Sequence, residues 1–162
     1  MATKEAYDVR DEKDLENAIG GVMAGVENDW RDATFKPVLE QAVKDLENDH
    51  QGFFDAAQDA TGAPWPPLAP ATVRRKGHDT ILVETGALRK SLTSKGGDAI
   101  REIFDEPQEG FSFGTSDPKA PFHQAGTERM PARPPVGMTE ERLDQICDEI
   151  ADSMVDQLTF QV

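Results

Sequence analysis

The sequence has little cysteine, few basic residues and no long hydrophobic run. Cys147 is its one cysteine, which excludes a disulfide within the chain and a thiolate metal cluster. A membrane-spanning helix needs roughly 18 to 20 apolar residues, whereas the longest uncharged segment, residues 60–73, contains four prolines. Residues 1–14 are charged and lack the apolar centre of a secretory signal peptide. We therefore expect a soluble protein that matures in a reducing compartment.

Acidic residues outnumber basic ones along most of the chain. The 162 residues include 17 Lys and Arg against 31 Asp and Glu, a net charge of −14. This balance argues against sequence-independent binding to nucleic acids and against docking to anionic membranes. Residues 1–60 and 135–162 have net charges of −9 and −6, whereas residues 61–95 have a net charge of +4. A short basic segment therefore lies between acidic ends.

Motifs for catalysis and for cofactor or metal binding are missing as well. The sequence has no phosphate-binding Gly-rich loop with a lysine, no His-Glu-x-x-His and no Gly-x-Ser-x-Gly. Asp45, Glu47 and Asp49 alternate like the start of a calcium loop, but its sixth position is His50 and its twelfth is Ala56, where calcium binding needs Gly and Glu. We predict no catalytic residues, no cofactor and no metal site.

Hydrophobic periodicity predicts a helical region over residues 11–60. Two apolar stripes are separated by Thr34 and Pro37, which suit an N-cap and a first helical turn. Two separate helices and one kinked helix both fit this pattern. The first stripe is Leu15, Ile19, Val22, Val26 and Trp30, and the second is Leu39, Val43, Leu46, His50, Phe53 and Ala57.

The C-terminal region, residues 138–162, has the pattern of one long helix. Thr139 suits its N-cap, and Glu140 and Glu141 suit the positive end of the helix dipole. We expect an apolar stripe to face the core and an acidic ridge to face solvent or a partner. The stripe is Leu143, Ile146, Cys147, Ile150, Met154 and Leu158, and the ridge is Asp144, Asp148, Asp152 and Asp156.

Residues 61–137 have the features of short strands and irregular loops. Residues 71–77 and a segment capped by Thr85 favour short helices. Residues 100–104 and 111–115 favour a hairpin, and a third extended segment is expected near residues 127–133. The predicted fold class is α+β: N-terminal amphipathic helices, a small antiparallel β-sheet with irregular loops and a long C-terminal helix. We predict that residues 1–162 form a single domain.

The basic segment contains Arg74, Arg75 and Lys76, followed by Arg89 and Lys90. Five cations in so acidic a chain are a weak basis for binding nucleic acid. We interpret them as salt-bridge partners for an acidic neighbour or for the aspartate ridge of the chain itself.

Four motif segments follow one another in residues 65–137 and together resemble a known family. They are Trp65-Pro66-Pro67-Leu68-Ala69-Pro70-Ala71-Thr72 with Arg75-Lys76-Gly77, Ile81-Leu82 with Thr85-Gly86, Leu88-Arg89 and Ser91, His123-Gln124 with Gly126, and Pro131-Ala132-Arg133-Pro134. In this order they resemble the virion morphogenesis and tail-completion family of tailed phages and related viruses. The chain departs from the family pattern at Ala120-Pro121, Ala125 and Pro135-Val136, where Tyr-Ala, Phe and an aromatic residue followed by Leu are usual.

The resemblance implies a structural protein of the virion neck or tail end, assembled in the host cytoplasm and without catalytic residues. Members of the family are expected to form rings, here a homohexamer, that complete the tail. The implied partners are the portal or a head-completion adaptor on one side and the tail terminator or tail tube protein on the other. Genomic DNA would pass through the lumen as cargo, and no membrane is involved.

Charge and resemblance together predict a subunit interface on the basic residues. In a ring, the basic segment of one copy would meet an acidic helix of the next, and Arg133 would be an anchor held between prolines. The predicted interface residues are Arg74, Arg75, Lys76, Arg89, Lys90, His123 and Arg133.

Several alternatives stay open at this point. The role of a tail terminator or of a head-completion connector fits the same resemblance. A small acidic adaptor that acts on the host, or a nucleic-acid mimic, fits the composition, and so does a hydrolase that uses His123 with Asp117. The acidity also fits adaptation to a high-salt host.

Overall fold

The structure, a computed structural model, describes residues 35–104 and 110–159. In this part of the chain, five helices and one hairpin confirm the predicted α+β fold class, and no helix is both long and apolar enough to span a membrane. The predicted helix of the first apolar stripe lies outside the described residues. The elements in chain order are α1 (Lys36–Ala56), α2 (Pro70–Lys76), α3 (Ala87–Thr93), β1 (Ala99–Phe104), β2 (Gly110–Thr115), α4 (Ala120–Ala125) and α5 (Glu140–Thr159).

Residues 36–146 form one compact unit, and the part of α5 from Cys147 onward belongs to a second one. In the first unit, α1 packs against α3 and against both strands. The second apolar stripe is buried as predicted from Leu39 to Phe53, because its spacing of three and four residues places it on one helix face. Its last residue, Ala57, lies beyond the end of α1 and is half-buried. The buried residues of α1 are Leu39, Ala42, Val43, Leu46, His50, Phe53 and Phe54.

A glycine lies at one end of each of the short helices α2 and α3. Gly77, with φ of 79°, ends α2 as predicted. The N-cap of α3 is Gly86 and not Thr85, although the Thr85 hydroxyl oxygen accepts a bond from the Ala87 N–H at 3.4 Å. The hydrophobic core beside these helices contains Phe54, Trp65, Leu88, Leu92 and Ala120.

A buried histidine links α1 to the segment before α5. His50 Nδ1 lies 2.7 Å from the Leu46 carbonyl oxygen, and its Nε2 lies 3.4 Å from the Gly137 backbone nitrogen. The neutral tautomer with its proton on Nδ1 donates the first bond and accepts the second. The ring also packs against Phe53 and Phe113. Burial lowers the pKa of His50, since a charged imidazole would lose its hydration here.

The predicted hairpin is present, and a buried arginine ties it to two helices. Arg101 in β1 donates from Nε to Glu47 of α1 at 3.0 Å. Its two Nη atoms donate to the carbonyl oxygens of Gly114 in β2 and Ser91 in α3, at 2.9 and 3.0 Å. The guanidinium also lies 3.8 Å from the centre of the Phe113 ring. These bonds offset the cost of burying the charge.

The first turn of α5 is fixed on α1. The Thr139 hydroxyl accepts a bond from the Arg142 N–H at 3.0 Å, which confirms the predicted N-cap. The Arg142 guanidinium makes two hydrogen bonds to Asp49, at 2.8 and 3.0 Å, and one to Asp45 at 3.2 Å. Two carboxylates of the calcium-like pattern therefore bind an arginine of their own chain.

The predicted apolar stripe of α5 is wrong in part. Ile146 is buried and Ile150 and Met154 are half-buried, but Leu143 is 52% exposed and Cys147 is exposed. The reason is that α5 buries a narrower side than the stripe, and Leu143 and Cys147 lie at its edge. The side chain of Leu158 lies outside the described residues. The aspartate ridge is exposed as predicted, at Asp144, Asp148, Asp152 and Asp156.

We predict that His50 makes the stability of the fold pH-dependent. Because its folded-state pKa is lowered below 6.5, the unfolded chain takes up the proton first as the pH falls. The contribution of His50 is therefore fully present above pH 6.5 and is lost as the pH falls from there towards the folded-state pKa. The free energy of unfolding, measured by urea denaturation, should decrease between about pH 7.5 and about pH 5.5.

The variant His50→Gln separates this effect from other titrations. It should lower the free energy of unfolding at about pH 7.5 by about 1–3 kcal/mol, because the buried hydrogen bonds of His50 to Leu46 and Gly137 would be lost or distorted. It should also flatten the pH dependence over the same interval. An equally steep decrease in the variant and the wild type would show that His50 is not its source.

Candidate protein-interaction cleft

Two proline-rich segments, residues 64–70 and 131–135, are joined by a side chain from each. Trp65 Nε1 donates to the Pro134 carbonyl oxygen at 3.1 Å. In the other direction, Arg133 Nε and Nη2 donate to the carbonyl oxygens of Pro66 and Pro67, at 2.6 and 2.9 Å. Arg133 is 4% exposed. Since proline has no N–H to form a strand ladder, these side chains hold the two segments together.

The second proline-rich segment is also held by α4, a helix that the sequence analysis missed. The Gln124 side chain donates to the Val136 carbonyl oxygen at 3.0 Å and accepts from the Val136 N–H at 3.2 Å. The backbone N–H of Arg133 donates to the His123 carbonyl oxygen at 2.8 Å. The His-Gln motif therefore holds the backbone at and just after the Pro-Ala-Arg-Pro motif in place.

The segment after α4 is a tight turn and not the expected extended segment. Thr127 and Met130 exchange backbone hydrogen bonds of 2.8 and 3.1 Å, and the one sheet of the described residues has two strands. Gly126, with φ of 73°, makes the turn possible, because a Cβ there would lie 2.7 Å from the Ala132 nitrogen. Pro131 then interrupts any strand ladder.

These segments enclose a cleft of about 640 Å³. Its apolar lining comes from residues 67–70, from residues 82–88 and from the turn at Met130 and Pro131. Leu82 has a φ of 56°, a left-handed conformation that is unusual for a residue with a side chain. A residue keeps such a backbone conformation where its surroundings fix it. The packing of Leu82 against the hydrophobic core provides such surroundings.

The cleft is basic although the chain is acidic. Among its lining residues, five are basic and two are acidic. The basic ones are Arg75, Lys76, Lys119, Arg129 and Arg133, and the acidic ones are Glu84 and Asp117. Lys119 and Arg129 are exposed and have no salt bridge within the described residues. The cleft therefore offers an apolar surface beside cations that are available to a partner.

His123 lines the cleft and makes no hydrogen bond to Asp117. Its Nδ1 is buried and has no hydrogen-bond partner among the described residues. Asp117 Oδ1 accepts instead from the Lys119 backbone N–H at 2.8 Å. Burial and the nearby Arg133 charge lower the pKa of His123, and Asp117 partly opposes them. The hydrolase alternative lacks the hydrogen bond that would orient its base.

The structure brings together four of the seven predicted interface residues. Arg75, Lys76, His123 and Arg133 line the cleft. Arg75 pairs with Glu84 at 3.1 Å, an exposed pair that contributes little, and Lys76 donates to the Thr80 carbonyl oxygen at 2.7 Å.

The other three predicted interface residues lie outside the lining of the cleft. Arg89 of α3 binds Asp55 of α1 at 2.6 Å. Arg74 and Lys90 are exposed and make no salt bridge within the part of the chain that the structure describes.

Sequence reasoning missed Lys119 and Arg129 as members of this site. Both are single basic residues that flank the His-Gln motif, 29 or more positions after Lys90. Only the fold brings them to the same cleft as Arg75. In residues 35–104 and 110–159, no cluster of His, Cys, Asp and Glu could hold a metal ion.

A sequence model of the phage virion morphogenesis family matches residues 11–155. The chain belongs to this family. The resemblance inferred from the four motif segments is thereby confirmed, and with it a role in the structure or assembly of the phage virion. Searches among curated proteins and solved structures give no match.

The family motifs of this phage protein hold elements of the fold together. Ser91 of the second motif is buried, and its hydroxyl donates to the Leu88 carbonyl oxygen and lies 2.8 Å from the Thr115 hydroxyl, which links α3 to β2. Trp65, Gln124 and Arg133 make the contacts described above. These motif residues therefore hold together elements that line the cleft, whereas the exposed cations Lys119 and Arg129 of the cleft lie outside the motifs.

We predict that Arg133→Met strongly destabilises this virion protein. It removes the donors to Pro66 and Pro67 and leaves two carbonyl oxygens unpaired, which should cost about 2–4 kcal/mol in the free energy of unfolding. Arg133→Lys should lie between the wild type and Arg133→Met, because a lysine keeps the charge but not the fork of donors. Chemical denaturation monitored by circular dichroism measures each change.

Arg129→Met is the matched control, because Arg129 lines the same cleft but is exposed. It should change the free energy of unfolding by less than about 0.5 kcal/mol. Equal effects of Arg129→Met and Arg133→Met would show that the buried bonds of Arg133 do not hold the cleft together.

Proposed function

We propose that this protein forms a ring at the neck of the virion, which completes the tail and joins it to the head. The chain belongs to the phage virion morphogenesis family, and the observation that carries the finer proposal is the basic, partly apolar cleft of an otherwise acidic chain. A protein that repels copies of itself by net charge needs local complementary surfaces to assemble.

The expected ring is a homohexamer located between two sets of partners. The portal or a head-completion adaptor lies on one side, and the tail terminator or tail tube protein lies on the other. Genomic DNA passes through the lumen, and a net charge of −14 per copy keeps the wall from binding its phosphates tightly. In this proposal the protein has no enzymatic activity.

We predict that virus particles contain the protein in about six copies, as a closed ring requires. Native mass spectrometry of the purified chain, or of the neck released from particles, should show a species of six times 17.8 kDa. Absence of the protein from purified particles would overturn the proposal and would favour the small host-interacting adaptor.

The phenotype of a deletion distinguishes tail completion from the neighbouring roles. Loss of a tail-completion protein should leave filled heads beside unattached tails of normal length. Loss of a tail terminator should instead give tails of uncontrolled length, and loss of a head-completion connector should give heads that release their DNA. Electron microscopy of the deletion lysate, with the wild-type gene restored as the control, tells these outcomes apart.

A further inference from the structure

The exposed side of α5 is acidic and partly apolar, so its charge is opposite to that of the cleft. Residues four apart lie on the same face of a helix, and α5 presents two such rows side by side. One row is apolar and the next is acidic. The apolar row is Leu143, Cys147, Ala151 and Val155, and the acidic row is Asp144, Asp148, Asp152 and Asp156, all of them exposed.

We propose that the exposed side of α5 in one copy docks into the cleft of a second copy. The apolar row lies on the apolar lining of the cleft, and the neighbouring aspartates lie opposite Lys119 and Arg129. This inference rests on the proposed self-assembly and names the two surfaces that would make it.

Charge complementarity favours α5 as the occupant. Residues 140–159 contain seven acidic residues and one basic residue, and that basic residue, Arg142, binds Asp45 and Asp49 of its own chain. The cleft has the opposite balance, with five basic lining residues and two acidic ones. Of the described parts of the chain, α5 therefore offers the acidic surface that the cleft would attract.

The apolar row explains why docking would be more than an ion pair. Leu143 is 52% exposed and Val155 is 59% exposed, at the two ends of a row that winds gradually around the helix. A single exposed aliphatic side chain is ordinary, but four small or apolar residues in one row beside an acidic row form an amphipathic surface suited to a groove. Exposed salt bridges alone would contribute little.

The size of the cleft fits part of one helix face. A helix with its side chains is about 10–12 Å across, so a cleft of about 640 Å³ takes the side chains of one or two turns. The cleft and α5 are built from different residues, as the two sides of a head-to-tail contact require. Such head-to-tail contacts close into a ring when the rotation between copies permits it.

Disulfide cross-linking between two differently tagged chains tests the contact. The first chain is the wild type, whose one cysteine is Cys147. The second carries Arg129→Cys together with Cys147→Ser, so that its only thiol lies at the rim of the cleft. Under mild oxidation we expect a mixed disulfide between the two chains, at a yield at least about tenfold above that of the control.

The matched control places the new cysteine outside the cleft, as Lys95→Cys with Cys147→Ser, because Lys95 is exposed and is not a lining residue. If the chains assemble by mass and no mixed disulfide forms, this inference fails and the ring proposal stands. If no assembly is found in solution or in particles, the ring proposal itself fails. A chain with Arg129→Cys and native Cys147 that closes only an internal disulfide would show that α5 occupies its own cleft, which overturns the inference.

Charge reversal with rescue provides a second, independent test. Lys119→Glu with Arg129→Glu should weaken assembly by about tenfold or more, since like charges would then face each other. Asp148→Lys with Asp152→Lys on the other surface should restore assembly when combined with that pair. All four residues are exposed, so an unchanged melting temperature verifies folding. Equal assembly of all variants, or assembly only with other neck proteins, would overturn the inference.

Discussion

The structure depends on how two proline-rich segments satisfy carbonyl oxygens that have no backbone donors nearby. Proline fixes the chain in an extended conformation and removes its N–H, so residues 64–70 and 131–135 cannot form a ladder with each other. Trp65 donates to Pro134, and Arg133 donates to Pro66 and Pro67. This reciprocal exchange fixes part of the cleft wall, because residues 67–70 of one segment and Pro131 and Arg133 of the other line the cleft. It also explains why a Trp-Pro motif and an Arg-Pro motif occur together although more than sixty residues separate them.

The sequence was sufficient for most of the elements and insufficient for the contacts between them. Period and caps predicted α1, the hairpin and the start of α5 at Thr139, because those signals lie within a few residues of one another. The role of Arg101 was not predictable, since its partners Glu47 and Ser91 come from other elements. The helix α4 was not predicted, because its six residues include a proline and have no apolar stripe. The seven interface residues were predicted from charge and from the resemblance, and only four of them line the cleft, because the loops bring those four to one place.

The interpretation of Arg133 changed most between sequence and structure. Two flanking prolines predicted a rigid, presented side chain, but the guanidinium is buried against the carbonyl oxygens of its own chain. A reversal to glutamate at this position would place an unpaired acid against those carbonyl oxygens and disrupt the fold, so it cannot report on assembly. The exposed cations Lys119 and Arg129 are the residues whose reversal separates assembly from folding. Burial distinguishes Arg133 from Lys119 and Arg129, and a count of charges in the sequence does not reveal burial.

The net charge can be interpreted as a means of directing assembly or as an adaptation to high salt, and these two interpretations are physically compatible. Copies with a charge of −14 repel each other over distances up to about the Debye length, which is about 8–10 Å at physiological ionic strength. Salt screens that long-range repulsion first, whereas the contacts between a basic cleft and an acidic helix act at a few ångströms and include apolar area that salt does not weaken. Moderate salt would therefore favour the proposed contact, and only the exposed pairs would weaken at higher concentrations. The acidity then sets the ionic conditions for assembly, and the cleft supplies its specificity.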